Sequence, residues 1–510
     1  MNQLAIAALS ISVIVVSIFW YIRKPTSKAP PLPPGPLGLP VVGYLPFLNP
    51  NLLVQFSELG QKYGPIYKLR VGSKLWVVLA SPSLAKEVVR DHDLVFSNRD
   101  VPVAAQVVTF GENDMVWSPN NSGWRKMRKV FAHDVLSNIN LDGSYNLNIR
   151  KDVVRKTIKD IYSTKIGKPI EIGDLISRCI MNIILKLLWG GTIDGEVGEK
   201  VVTDFKALLP KLVGLLEKPN ISDFFPILSG LDLQGVKKDM EITLQSYDRI
   251  IDVAIGIAKK KLSGKVMDEG RKDFLQILLK LKENDEDTNR SITSKQLKGM
   301  LMDVVVAGSD TQSNTVEWAM AELMNNPDIM VKVQQELSSV VGINNMVEES
   351  HAPKLQYVRA IIKETLRLHP SVPLLLTRFP TKDSTIGGYS IPKNTTVFLN
   401  AYEIQRDPSV WDNPLKFQPE RFLDTEEKMD FSGNNFSYMP FGSGRRICAG
   451  TPLAERMMIL LLASLVHSFE WKLPKGETLD MSEKFGIGLK KNTPLFVIPS
   501  IRLSNLNLYT

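Results

Sequence analysis

Between positions 4 and 22 the chain carries no charged residue, and as a helix rising about 1.5 Å per residue this stretch would extend roughly 28 Å, the thickness of one membrane crossing. Arg23, Lys24 and Lys28 follow it at once and no Lys or Arg precedes it, which puts the rest of the chain on the cytosolic side. Bulky Phe19-Trp20-Tyr21-Ile22 stands where a cleavage site would need small residues, so the segment is expected to persist as an anchor. Prolines at 30, 31, 33, 34 and 36 then forbid a helix and predict a stiff extended hinge. Beyond it, apolar residues recur at helical spacing through 52–63, 83–91, 176–189, 200–216, 297–325 and 354–369. Strands are few: 66–71 and 75–79 flank a Gly72-Ser73 turn and predict a hairpin, and 385–391 with 395–399 predict another. The pattern describes a mainly α protein with a small β region. Its expected boundaries are an anchor at 1–22, a basic and proline-rich hinge at 23–45, one large domain at 46–503 and a short tail at 504–510.

Composition narrows the function classes. Of 510 residues, 44% are hydrophobic and 23% charged, which excludes disordered and collagen-like chains. Lys and Arg outnumber Asp and Glu 62 to 54, a net charge of +8 that suits an anionic surface or an acidic partner. The basic clusters at 125–129 and 259–261 lack interleaved aromatics, so no nucleic-acid partner is expected. With only Cys179 and Cys448 there is no disulfide framework, and the five histidines include no pair at the i,i+4 spacing of a helical metal site.

Candidate chemistry concentrates in Phe441-Gly442-Ser443-Gly444-Arg445-Arg446-Ile447-Cys448-Ala449-Gly450. The glycines let backbone approach something closely, and Arg445 and Arg446 are expected to lower the pKa of Cys448 towards a thiolate. A thiolate can be a nucleophile or a metal ligand. The nucleophile needs a positioned base, and no histidine lies near in sequence, so that reading depends on a neighbour brought in by the fold. Neither a phosphate loop nor a dinucleotide turn is present. A single thiolate in a glycine-lined loop suits haem iron.

The same segment matches FxxGxRxCxG at Phe441, Gly444, Arg446, Cys448 and Gly450, and so resembles the haem-binding signature of the cytochrome P-450 superfamily. Glu364-Thr365-Leu366-Arg367 is similar to its ExxR motif, Pro419-Glu420-Arg421-Phe422 to PERF and Trp124-Arg125-Lys126-Met127-Arg128 to WxxxR. Ala307-Gly308-Ser309-Asp310-Thr311-Gln312 resembles the oxygen-activating segment, departing from it at Gln312, where Thr or Ser is usual. The resemblance implies the single-domain fold of that superfamily behind one transmembrane helix, with haem b held by Cys448. It implies Trp124, Arg128, Arg378 and Arg446 as donors to the haem propionates, Phe441 beside the macrocycle, and Asp310 with Thr311 in proton delivery. Ala307-Gly308 is expected to let the helix widen. Glu364, Arg367 and Arg421 are implied as a buried structural network.

What the resemblance implies for activity is an NADPH- and O2-dependent monooxygenase of the endoplasmic reticulum membrane, with a separate NADPH-dependent reductase as partner and its catalytic domain facing the cytosol. It is closest in kind to microsomal enzymes of plant specialised metabolism acting on terpenes and flavonoids. The substrate is expected to contact 101–117, 301–307, 374–376 and 486–489. Val304, Val305, Ala307, Leu375 and Ile487 present no charge, which favours a small lipophilic molecule, a terpenoid ahead of a flavonoid or other phenolic. An oxygen-independent haem-thiolate isomerase or dehydratase, and a non-catalytic haem protein, are the rival classes.

Overall fold

The computed structural model describes residues 30–190, 195–263, 273–283, 291–423 and 429–510. The expected anchor at 1–22 and the first part of the hinge lie outside the described residues. Among the described residues no helix is long and apolar enough to cross a membrane.

The centre of the molecule is the helix Ser294–Asn325, started by a capping box in which Thr293 and Gln296 satisfy each other's backbone N–H groups. Its buried positions run round the whole cylinder, because it is enclosed by Ile172–Trp189, Gln356–Leu368 and Thr451–Ser468. The last of these is apolar through most of its length and begins directly after the cysteine loop, with proline in its first turn. Helices Ser144–Thr164, Gly195–Glu217, Val236–Ser263 and Pro327–Val340 complete the layers around that core.

Strands β1 (Ile66–Val71) and β2 (Lys74–Leu79) form the expected hairpin, with Gly72 at φ 59° in the turn. The second expected hairpin is corrected. Ser384–Ile386 and Tyr389–Ile391, here β4 and β5, pair with each other through Gly387-Gly388, while β6 (Thr396–Leu399) leaves them and joins β2 in parallel, Trp76 opposite Thr396. All four residues of β6 are buried, the signature of a strand covered on both faces rather than of a hairpin arm. Elsewhere β10 (Phe496–Ile501) lies between β3 (Ile170–Glu171) and β7 (Phe469–Lys472), and β8 (Glu483–Lys484) pairs with β9 (Lys490–Lys491).

Both ends of the described chain are tied to this body. The proline segment runs along the first sheet, with Pro34 accepting from the Lys68 N–H and Pro31 from that of Ser390. Residues 504–510, expected as a tail beyond the domain, pack onto it: Tyr509 is buried, stacks on Tyr162 at 4.9 Å and donates its hydroxyl to the Ser468 carbonyl.

Beneath the cysteine loop, Glu364 and Arg367 are fully buried one helical turn apart and joined by two hydrogen bonds, Nε to Oε2 at 2.7 Å and Nη2 to Oε1 at 2.9 Å. Arg421 donates its Nε to the same carboxylate at 3.1 Å, and the Gln418 backbone N–H adds a fourth bond. Arg367 spends its remaining donors on the carbonyls of Gln405, Pro414 and Lys416, which ties two chain segments to one helix.

Candidate functional site

The loop before helix Thr451–Ser468 is shaped by Gly442 and Gly444 at φ 72° and 67°, left-handed conformations that side chains resist. A Cβ on Gly444 would stand 2.4 Å from the Val89 carbonyl oxygen, so this glycine is required for the loop to close on its neighbour. The loop returns on itself when the Cys448 N–H donates to the Phe441 carbonyl at 2.9 Å, and the Gly450 N–H points at Sγ of Cys448 from 3.3 Å. Phe441 packs edge-on against Phe431 at 4.9 Å and lines the same cavity as the thiol.

That cavity, about 1460 Å³ with the space at its opening to solvent included, lies between Cys448 on one side and Ala307, Gly308 and Thr311 of the central helix on the other. The Cys448 side chain is exposed to it, while the dense protein around the loop pushes its thiol pKa up. The expected source of thiolate stabilisation is corrected here: Arg445 turns outward to Asp93 at 3.3 Å and Arg446 turns towards the carbonyls of Ser97 and Met115. The charge that favours the thiolate comes from Arg128, which also donates to the Ile447 carbonyl at 2.7 Å.

Four arginines, Arg99, Arg128, Arg378 and Arg446, converge on this cavity from four separate segments. Burial, and then mutual repulsion with Arg378, pushes the Arg446 guanidinium down to about 9, and burial holds Arg378 at about 10. Arg99 is driven well below its ordinary range, first by burial and then by Arg378, Arg446 and Arg128. Few anions answer them. Asp114 is occupied by the N–H groups of Trp117 and Ser118, and Asp93 stands 3.8 Å from Arg378. Nε of Arg99 and Nη1 of Arg378 are buried without a hydrogen-bond partner. Stranded donors and uncompensated positive charge at one edge of an apolar cavity, with a thiol on its floor, fit the two propionates and the iron of a haem.

Trp124 does not line the cavity. It supports Arg446, whose guanidinium lies 4.1 Å from its ring centroid, and its indole N–H is committed to the Met115 carbonyl at 3.0 Å. Arg99 was not among the expected residues, and one sequence offers no signal that separates it from a surface arginine beside Asp100.

On the opposite side the central helix is continuous through 307–312, the segment in which a widening at Ala307-Gly308 is expected. Gly308 has another reason: a Cβ there would lie 3.2 Å from Cδ1 of Ile184, and the helix Ile172–Trp189 packs against this bare turn. Thr311 donates its hydroxyl to the Ala307 carbonyl at 2.6 Å, Gln312 donates its amide to that of Gly308, and Asp310 pairs with Lys490 at 2.9 Å.

A second cavity adjoins the first and shares Val116, Asp303, Ala307, Thr311, Val372 and Leu376 with it. Its walls draw on all four expected substrate segments, through Trp117, Met302, Leu376 and Ile487 among others, and on two that sequence reasoning missed, Leu212 and Leu216 of helix Gly195–Glu217 and Asn314 of the central helix. Val305 is fully buried and lines neither cavity. Nor is the lining free of charge: Asp303, Asp310, Glu217 and Lys490 reach it. Asp303 accepts the Met115 N–H at 2.6 Å, and burial beside Asp114 raises its pKa well above the carboxylate range.

Comparison with known proteins places this architecture. The family described as Cytochrome P450 matches residues 33–498. A flavonoid 3'-monooxygenase of Petunia hybrida is 38% identical over 483 residues, 93% of each chain. The geraniol 8-hydroxylase of Catharanthus roseus is 37% identical over 487 residues, 94% of this chain and 96% of its own, and the carnosic acid synthase of Salvia pomifera is 37% identical over 488 residues, 94% and 95%. A solved zebra fish cytochrome P450 structure with progesterone superposes with a TM-score of 0.75 over 89% of this chain and 100% of its own, at 24% identity, a likeness of fold.

Proposed function

The chain belongs to the cytochrome P450 family and is a haem-thiolate monooxygenase drawing NADPH electrons through a reductase, and from that premise we propose that it hydroxylates a small terpenoid. The observation that carries the substrate class is the second cavity, distal to the cysteine loop, whose apolar wall is mostly branched aliphatic, with Leu212, Leu216, Val306 and Ile487 around a single indole, Trp117. A planar phenolic would be expected to meet stacking faces. A flavonoid is the second reading, favoured by the relatives that carry that name and by Trp117.

In this reading Cys448 would ligate the haem iron, and Arg99, Arg128, Arg378 and Arg446 would hold the propionates by charge-assisted hydrogen bonds, with Trp124 positioning Arg446 from behind. When bound, the haem supplies reductive activation of dioxygen and the insertion of one oxygen atom into a substrate C–H bond. The protein's own part is orientation, exclusion of water and proton supply. Aliphatic walls hold the substrate against Ala307 and Thr311, the Thr311 hydroxyl stands at the passage between the two cavities, and Asp310, held to Lys490 at the outer rim, is the carboxylate from which protons enter.

Exposed apolar residues support a membrane setting. Ile227, Leu231 and Leu233 are 92%, 65% and 59% exposed, in a segment docked onto the β1–β2 turn, where the Ser73 N–H donates to the Phe224 carbonyl. With Leu37 and Val41 exposed on the segment whose Val42 carbonyl accepts from the Gly72 N–H of the same turn, the surface suits insertion into a lipid bilayer beside an anchor at 1–22, with the domain at 46–503 on the cytosolic face of the endoplasmic reticulum.

The test is a reduced carbon monoxide difference spectrum on the membrane-bound protein, followed by titration with geraniol and with a flavanone. The red-shifted Soret band of a thiolate-ligated haem, lost in Cys448→Ala, is expected, with a substrate shift for geraniol at lower concentration than for the flavanone. The reverse order of affinities would overturn the terpenoid reading.

A further inference from the structure

Along 311–315 of the central helix every side chain but one donates to the backbone carbonyl a turn earlier. Thr311 donates to the Ala307 carbonyl, Gln312 to Gly308, Ser313 to Ser309 and Thr315 to Thr311, at 2.6 to 2.9 Å. Asn314 makes no such bond. It is 8% exposed, it lines the distal cavity, and its Nδ2 is buried without a hydrogen-bond partner. The side chain faces Gly488, where a Cβ would stand 3.4 Å from that same nitrogen, so the absence of a side chain at 488 leaves room beside the amide. The hairpin carrying Gly488 is pinned in place: the Leu489 N–H donates to the Ser371 carbonyl and the Trp318 indole to the carbonyl of Leu489.

The other polar groups of this cavity are engaged. Asp310 and Lys490 neutralise each other, Asp303 holds the Met115 N–H, and Glu217 stands exposed at the mouth. A buried amide with an unused hydrogen-bonding group in an otherwise aliphatic chamber is a receptor for one polar atom on a lipophilic molecule.

We propose that Asn314 is a specificity-determining anchor for a hydroxyl group on the substrate, so that the molecule accepted is an aliphatic alcohol rather than a hydrocarbon. A hydroxyl both donates and accepts, and it therefore satisfies the amide whichever of its two ends faces the cavity. The aliphatic body then lies along Leu212, Leu216, Val306 and Ile487. Fixing one end of the molecule in this way decides which carbon reaches the site of oxidation. A hydrocarbon of the same shape would leave the amide unpaired and bind less well, the asymmetry by which a buried polar group rejects an analogue lacking its partner. The inference rests on the terpenoid reading above.

The experiment compares geraniol with the hydrocarbon that lacks only its hydroxyl, by Soret titration of the full-length holoprotein in membranes. Wild type should bind geraniol about tenfold more tightly. In Asn314→Leu, alike in branching though larger and unable to hydrogen-bond, that preference should vanish through weaker geraniol binding, with the carbon monoxide band reporting an intact haem site. Gly488→Ala, which places a methyl beside the amide, should reduce the preference without altering Asn314. Equal affinities in wild type, or a preference that survives Asn314→Leu, would overturn the anchor alone. No shift with either ligand in protein with an intact carbon monoxide band would overturn both the anchor and the terpenoid reading beneath it.

Discussion

The carboxylate of Asp310 and the ammonium group of Lys490 stand 2.9 Å apart although 180 residues separate them in the chain. The pair joins the central helix to the strand β9 at the rim of the distal cavity, and the carboxylate raises the Lys490 pKa against the opposing effect of burial. Both side chains are about one-third exposed, so the contact adds little to stability, and its interest lies in where it holds the carboxylate.

If Asp310 is the entry point for protons, Asp310→Asn should slow product formation by about 10²-fold while the carbon monoxide spectrum and the substrate-induced Soret shift stay as in wild type. Lys490→Met leaves the carboxylate in place and should slow turnover only a few-fold. Parallel measurement of NADPH consumed and product formed checks both. Asp310→Asn turning over at the wild-type rate would remove Asp310 from the proton path.

Glu364 and Arg367 make the opposite case, since both are fully buried and each depends on the other for its charge. Glu364→Gln leaves Arg367 and Arg421 facing a neutral amide, and a loss of about 3–5 kcal/mol is expected for stranding a buried charge. Chemical denaturation of the variant should show it, together with poor haem loading, because Gln405, whose carbonyl Arg367 grips, also accepts the Met439 N–H just ahead of the cysteine segment.

How much of this was legible in the sequence follows from the range of the interactions. The helix at 52–63 and the first hairpin were readable to within a residue, because periodicity and a Gly72 turn are local signals. The β2–β6 pairing was not, because a parallel partner some 300 residues away leaves no mark on either strand. The cysteine loop was legible as a motif, yet the charge beside its thiol was misassigned: Arg445 and Arg446 are neighbours in sequence, and only the fold shows that both turn elsewhere and that Arg128 arrives instead. Arg99 and Asn314 escaped for the same reason, since what marks them is an unmet hydrogen bond.

The buried cluster around His369 carries a pH dependence. Its ring stacks on Trp318 at 3.9 Å, with one nitrogen 2.8 Å from Glu322 and the other 2.8 Å from Glu483, and Tyr402 and Arg406 also reach Glu483. Burial alone would raise the Glu483 pKa, but the hydrogen bond from His369 and the charges of His369 and Arg406 outweigh it, and the net shift is downward. A carboxylate lowered in the folded state stabilises above its unfolded pKa and loses that stabilisation as pH falls through the folded value. Glu483→Gln should therefore melt earlier than wild type at neutral pH, and the gap should close below about pH 4. Thermal melts across that range check it, and a gap independent of pH would show that packing rather than charge sets the difference.

The arginine cluster should give effects of opposite sign in the two forms of the protein. A buried guanidinium pushed down to about 10, as Arg378 is by burial, or to about 9, as Arg446 is by burial and by Arg378, is penalised in its charged form on folding. The sign for a base with a lowered pKa is that the penalty is fully present at neutral pH and fades only as pH rises through the shifted value towards the ordinary one. Replacing Arg378 with Met removes a cation whose Nη1 has no hydrogen-bond partner and relieves the repulsion on Arg99 and Arg446. The haem-free protein should therefore unfold at a higher temperature than haem-free wild type. The same substitution deletes a charge-assisted donor to a propionate, worth about 1.5–3 kcal/mol, so haem should dissociate roughly 10- to 150-fold more readily. Haem transfer to an acceptor protein and melting of the haem-depleted form measure the two effects separately. A variant less stable without haem, and no weaker in holding it, would show that Arg378 serves the loop through its bond to the Ser443 carbonyl and not the propionates.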